Sequence, residues 1–102
     1  MQQMAERARR MVAAAIVAFG NADPAAARAL VPDEEVVDAL QEETYRMLIE
    51  RARAGLDVGM TVYLVLATHH LERVADRATN IAEQAIYAAT GRLDELNPSR
   101  ID

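Results

Sequence analysis

The residues of this chain whose types and spacing can do chemistry are carboxylates at helical intervals. A search for Glu or Asp followed by Asp four residues later finds Glu34 to Asp38, beside Glu35, and Glu72 to Asp76. Residues four apart on a helix share a face one turn above another. At about 100° per residue, Glu72, Asp76, Asn80 and Glu83 fall within an arc of roughly 80°, a stripe of oxygen donors. Like charges at this spacing repel by about 0.2–0.5 kcal/mol per pair on an exposed helix. Beside the oxygen stripe runs a second one, Leu71, Ala75, Ala78, Ala82, Ala85, Ile86 and Ala89, apolar and mostly small. Alanine lets another helix approach closely, so the acids stand at the margin of a helix–helix contact, where a cation between helices would relieve them. Four carboxylates converging from two helices is what a carboxylate-bridged metal site in a bundle requires. The competing reading is two solvated acidic faces, with Arg73 pairing to Asp76 and Arg46 to Glu42 or Glu43.

Other chemistry finds less support. His69 falls on the oxygen side of its helix and His70 points away, so His69 is either an outer ligand or a boundary histidine. The Glu-x-x-His ligand pair of di-iron bundles is missing, because His69 precedes Glu72 and nothing similar occurs near Glu34. No hydroxyl lies in a nucleophile motif, and Gly20, Gly55, Gly59 and Gly91 form no phosphate loop. With no Cys in the chain, disulfides, thiolate metal sites and cysteine nucleophiles are excluded. A metal held by carboxylates, amides or His favours Mg, Mn, Fe or Zn over copper.

Helices must position these groups. Met4, Ala8, Met11, Val12, Ala15, Ile16, Ala18 and Phe19 recur at spacings of three and four, a helix that stops at Gly20-Asn21. Asp23-Pro24 opens a short alanine-rich piece that Val31-Pro32 closes. Asp33 is expected to cap a second long helix with the apolar stripe Val37, Leu40, Thr44, Met47 and Leu48, ending near Gly55. Met4, Met11 and Met47 are read as core. Asp57 caps a third helix running to Gly91, on the order of 50 Å long. No segment alternates with a period of two, so the spacing predicts an all-α antiparallel three-helix bundle over residues 1–91. Residues 92–102, with Asn97-Pro98, read as a C-terminal tail. The acids opening the second helix and those midway along the third then lie at similar height.

At 102 residues the chain makes one small domain, burying roughly 60–65% of its extended surface. It has 11 basic residues, all Arg, against 16 acidic, a net charge of −5. That balance lacks the basic footprint of nucleic-acid binding. The N-terminus has no signal-peptide core, and the apolar run Val58 to Thr68 is too short to span a bilayer, so a cytoplasmic chain without membrane insertion is expected.

The run Leu71-Glu72-Arg73-Val74-Ala75-Asp76-Arg77-Ala78-Thr79-Asn80-Ile81-Ala82-Glu83 closely resembles the signature of the PhoU family of phosphate-signalling regulators. That signature reads Leu-Glu-Arg, a branched residue, Gly-Asp, then Asn-Ile-Ala-Glu. Ile86 to Gly91 resembles the end of the family's C-terminal repeat, and Glu34 to Leu40 the acidic start of its second helix. The resemblance implies a helical scaffold whose repeats hold iron or other metal clusters, with Glu34, Asp38, Glu72 and Asp76 as ligands and Asn80 in support. Iron is the leading candidate, with Zn, Mn or Mg as alternatives. It further implies a non-enzymatic adaptor between a phosphate ABC transporter ATPase and a sensor histidine kinase. Two departures stand out. Ala75 replaces the Gly before Asp76, and one repeat stands where the family has two. A lone repeat exposes the face that packs on its twin, so a homodimer is expected. The alternatives from other classes are a ferritin-like carboxylate metalloenzyme and a metal-free dimerisation module.

Overall fold

The structure, a computed structural model, describes residues 1–91. Four helices follow one another: α1 (Gln2–Gly20), α2 (Pro24–Arg28), α3 (Val31–Arg53) and α4 (Val58–Thr90). Among the described residues there is no strand, and three long helices form the bundle that the periodicity predicts. The expected tail lies outside the described residues.

The helix ends follow local chemistry. The Asp23 carboxylate accepts the Ala26 N–H at 3.1 Å and sets Pro24 in the first turn of α2, where a missing N–H costs nothing. Asp57 does the same for α4, accepting the Met60 N–H at 3.0 Å. Gly91 takes φ 72° and donates its N–H to the Tyr87 carbonyl at 2.8 Å, a left-handed stop that a residue with Cβ adopts only under strain. Only the start of α3 departs from expectation. The helix begins at Val31 with Pro32 in its first turn, so Asp33 is not the cap. Asp33 is used across the bundle, where its carboxylate takes Arg7 of α1 at 2.8 Å.

Helix α4 is the shared wall of the bundle. It packs extensively on α1 and less so on α3, while α1 and α3 touch each other little. The short α2 closes the end at which α1 turns back toward α3. Helix α3 runs antiparallel to α4, fixed by the contact of Glu34 with Thr79. The core is Met4, Ala8, Met11, Ala15 and Ala18 of α1 against Ala75, Ala78, Ala82, Ala85 and Ile86 of α4, with Leu30 and Val37. It is built mostly of alanine, so it holds by close backbone approach more than by bulk.

The molecule measures 52 × 23 × 18 Å, and its length comes from α4. Helix α1 is shorter, and its first residues lie beside Leu40, Thr44 and Met47, midway along α3. The end of α3 and the first turns of α4 therefore run past α1 as a two-helix hairpin. This corrects the expected core: Met47 is 41% exposed, because it lies where α1 only begins and is covered from one side alone. Ile16, Phe19 and Ala89 also prove exposed, on the outer sides of their helices.

Candidate functional site

The acids expected to act together are carried by α3 and α4. Glu34 sits in the first turn of α3, where the positive end of the helix dipole favours a carboxylate. It is only 6% exposed, a heavy desolvation for an acid. The Thr79 hydroxyl of α4 donates to it across the helix pair. Thr79, itself buried, also lies 3.3 Å from the carbonyl of Ala75, so its hydroxyl has a second acceptor within reach. The spacing of carboxylates alone did not identify Thr79. Its place three residues after Asp76, on the edge of the same stripe, was the available signal.

One turn along α3, Asp38 is exposed yet its carboxyl is pushed above its ordinary range. Burial of part of the group is the largest cause, followed by the charges of Glu34 and Asp76, then Glu42 and Glu35. Glu72, half-buried on α4, is raised by burial, then by Asp76, Asp38 and Glu34, with Arg73 opposing. Glu34, Asp38, Glu72 and Asp76 therefore lie within each other's field across the α3–α4 contact. Arg73 acts on Glu72, and Arg46 forms no ion pair with Glu42 or Glu43 among the described residues. Ion pairs Arg7–Asp33 at 2.8 Å and Arg9–Glu6 at 2.7 Å both involve α1.

Other members of the oxygen stripe fall differently. Asn80 is exposed, Glu83 is buried, and His69 is exposed with its ring centroid 6.0 Å from that of His70. Among the described residues no three His, Asp or Glu side chains are grouped closely enough to hold an ion as they stand. The face is a set of mutually repelling oxygen donors and not a closed cage. Chemically it favours whatever brings positive charge to it.

The family model described as PhoU domain matches residues 1–85, from the start of α1 to the buried Ala85 of α4. The chain belongs to the PhoU domain family. Among curated relatives of this PhoU-domain chain is the phosphate-specific transport system accessory protein PhoU homolog 1 of Thermotoga maritima. It is 32% identical over 84 residues, covering 81% of this chain and 36% of the relative. The PhoU homolog of Synechocystis sp., named as the same kind of accessory protein, is 34% identical over 90 residues, covering 87% of this chain and 40% of the relative. The chain thus spans well under half the length of the relatives it matches. No solved structure matches it. No helix among the described residues is long and apolar enough to cross a membrane.

Proposed function

We propose that this PhoU-domain chain serves as a non-enzymatic, cytoplasmic helical adaptor that regulates phosphate uptake and phosphate-starvation signalling. Its partners in this reading are a phosphate ABC transporter ATPase and a sensor histidine kinase. The relatives' names, as accessory proteins of a phosphate-specific transport system, support the assignment. The observation that carries it furthest is the mutual field of Glu34, Asp38, Glu72 and Asp76 across α3 and α4.

These four carboxylates are the residues that would hold a metal, iron first, with Zn, Mn or Mg as alternatives. An all-oxygen, anionic donor set suits hard cations. A bound ion would neutralise the face and pin α3 to α4, a structural or regulatory contribution. A homodimer forms in this reading through the flank of α1 and α4, where Val12, Ile16, Leu71 and Val74 line an apolar groove floored by Ala8. A second reading, a metal-free dimerisation module, is favoured by the ungathered positions of the acids.

Elemental analysis after purification without chelator separates the two. Stoichiometric metal in the wild type, lost in both Asp38→Asn and Asp76→Asn, is the expected result. A metal-free wild type that is dimeric by light scattering would leave the dimerisation module standing and remove the metal.

A further inference from the structure

Followed toward the N-terminus of α4 in steps of three and four, the stripe through Asn80, Asp76 and Glu72 passes His69 and reaches Val65, Val62 and Val58. These steps stay on one helix face. On antiparallel α3 the matching stripe runs from Asp38 through Glu42 and Tyr45 to Ile49. The two stripes make one face of the α3–α4 hairpin, acidic at one end and apolar at the other. Its apolar end is open to solvent: Val58 is 78%, Val62 51% and Ile49 52% exposed. From Val58 to Leu71 no residue carries a charge, which is unusual for a helix surface in a chain of net charge −5.

We propose that this face docks an amphipathic basic helix of a partner protein. The partner's apolar side chains would lie against Val58, Val62 and Ile49, and its Lys or Arg residues over Asp38, Glu42 and Glu72. Charge complementarity selects this occupant. An apolar strip that continues into the carboxylates of Asp38, Glu42 and Glu72 matches a helix that is apolar at one end and cationic at the other. The length from Val58 to Asp76 is about 27 Å, so a helix of about 18 residues covers it.

One other occupant fits poorly. A second copy would pair this patch with itself about a two-fold axis. That sets acids on acids in one orientation and acids on valines in the other.

The test uses two synthetic 18-residue helical peptides titrated calorimetrically into the full chain. Both carry a leucine stripe at helical spacing. One has Lys clustered in one half, and the other has Glu at the same positions. Chelator is present throughout, so the result is independent of the metal reading. The Lys peptide should bind at least about tenfold more tightly than the Glu peptide, and less tightly as salt rises. Val62→Asp, an exposed change, should weaken it by about tenfold or more, with helicity unchanged by circular dichroism. Asp38→Asn with Glu72→Gln should weaken it several-fold and flatten its salt dependence. Glu50→Gln, on the other side of α3, should change nothing. Equal binding of both peptides, or binding of neither, overturns the proposal. So does a dimer that Val62→Asp dissociates while the Lys peptide fails to compete.

Discussion

Helix α4 meets its two neighbours in different ways. Toward α1 it presents Ala78, Ala82 and Ala85, each with no exposed surface, against Met4, Ala8, Met11 and Ala15. The core residues that meet there are apolar, and small side chains let the two backbones close on each other. Toward α3 it presents Thr79, Asp76 and Glu72 to Glu34 and Asp38. A bundle this small gains nothing in stability from stacking acids along one contact when alanine would pack there equally well. The α1 side therefore holds the fold together by close apolar packing, and the α3 side carries acids that repel one another.

The most damaging way to break this contrast is to enlarge a residue on the dry side. Ala78→Leu adds three heavy atoms at a point without free volume, and should cost about 3 kcal/mol or more in urea unfolding. A domain of this size has on the order of 5–10 kcal/mol in total, so the loss should be plain in the transition midpoint. An effect below about 1 kcal/mol would mean that α1 shifts freely on α4 and that the alanine seam is not what fixes it.

One residue further on, Thr79→Val probes the other side with almost no change of shape. It removes the hydroxyl that donates to the buried Glu34 carboxylate. Losing one donor to a buried acid costs about 1–3 kcal/mol. The double variant Thr79→Val with Glu34→Leu should recover part of that loss, because the acid is then no longer buried short of a donor. If the single variant is neutral, the Thr79 contact contributes nothing to holding α3 against α4.

The contrast was only partly legible in the sequence. Asp23-Pro24, Asp57 and Gly91 mark helix ends by local chemistry and act there, whereas Gly20 is simply the last residue of α1 and the left-handed turn after it falls on Ala22 at φ 47°. The alanine stripe on α4 was also readable, because 3.6-residue periodicity reports which face is apolar. Asp33 and Met47 were not readable, and for a common reason. Each depends on where α1 lies relative to α3, which no periodicity within α3 encodes. Asp33 is drawn to Arg7 instead of capping its own helix, and Met47 is left partly exposed because α1 begins beside it. The four acids were found by spacing and resemblance. Glu34's burial under Thr79 is a cross-helix fact that becomes visible only once the register of α3 on α4 is known.

The smallest expected effect sharpens the comparison most, because its sign is opposite to the first two. Asp38 is pushed up by burial and then by Glu34 and Asp76, and Glu72 by burial and then by Asp76 and Asp38. A carboxyl whose pKa is raised on folding binds more protons in the folded chain than in the unfolded one. Between the two values stability falls as pH rises, and above the folded value the whole cost is present. In chelator, the protein should therefore gain stability as pH drops from neutral into the upper carboxylate range. Asp38→Asn should give part of that gain already at pH 7, on the order of 0.2–0.5 kcal/mol, since the group is exposed and its repulsions are screened. It should also flatten the pH dependence of the urea midpoint over that range. A destabilising Asp38→Asn in metal-free protein would mean that the carboxylate makes favourable contacts outweighing the repulsion. The acids of the α3 side would then belong to the scaffold as fully as the alanines of the α1 side do.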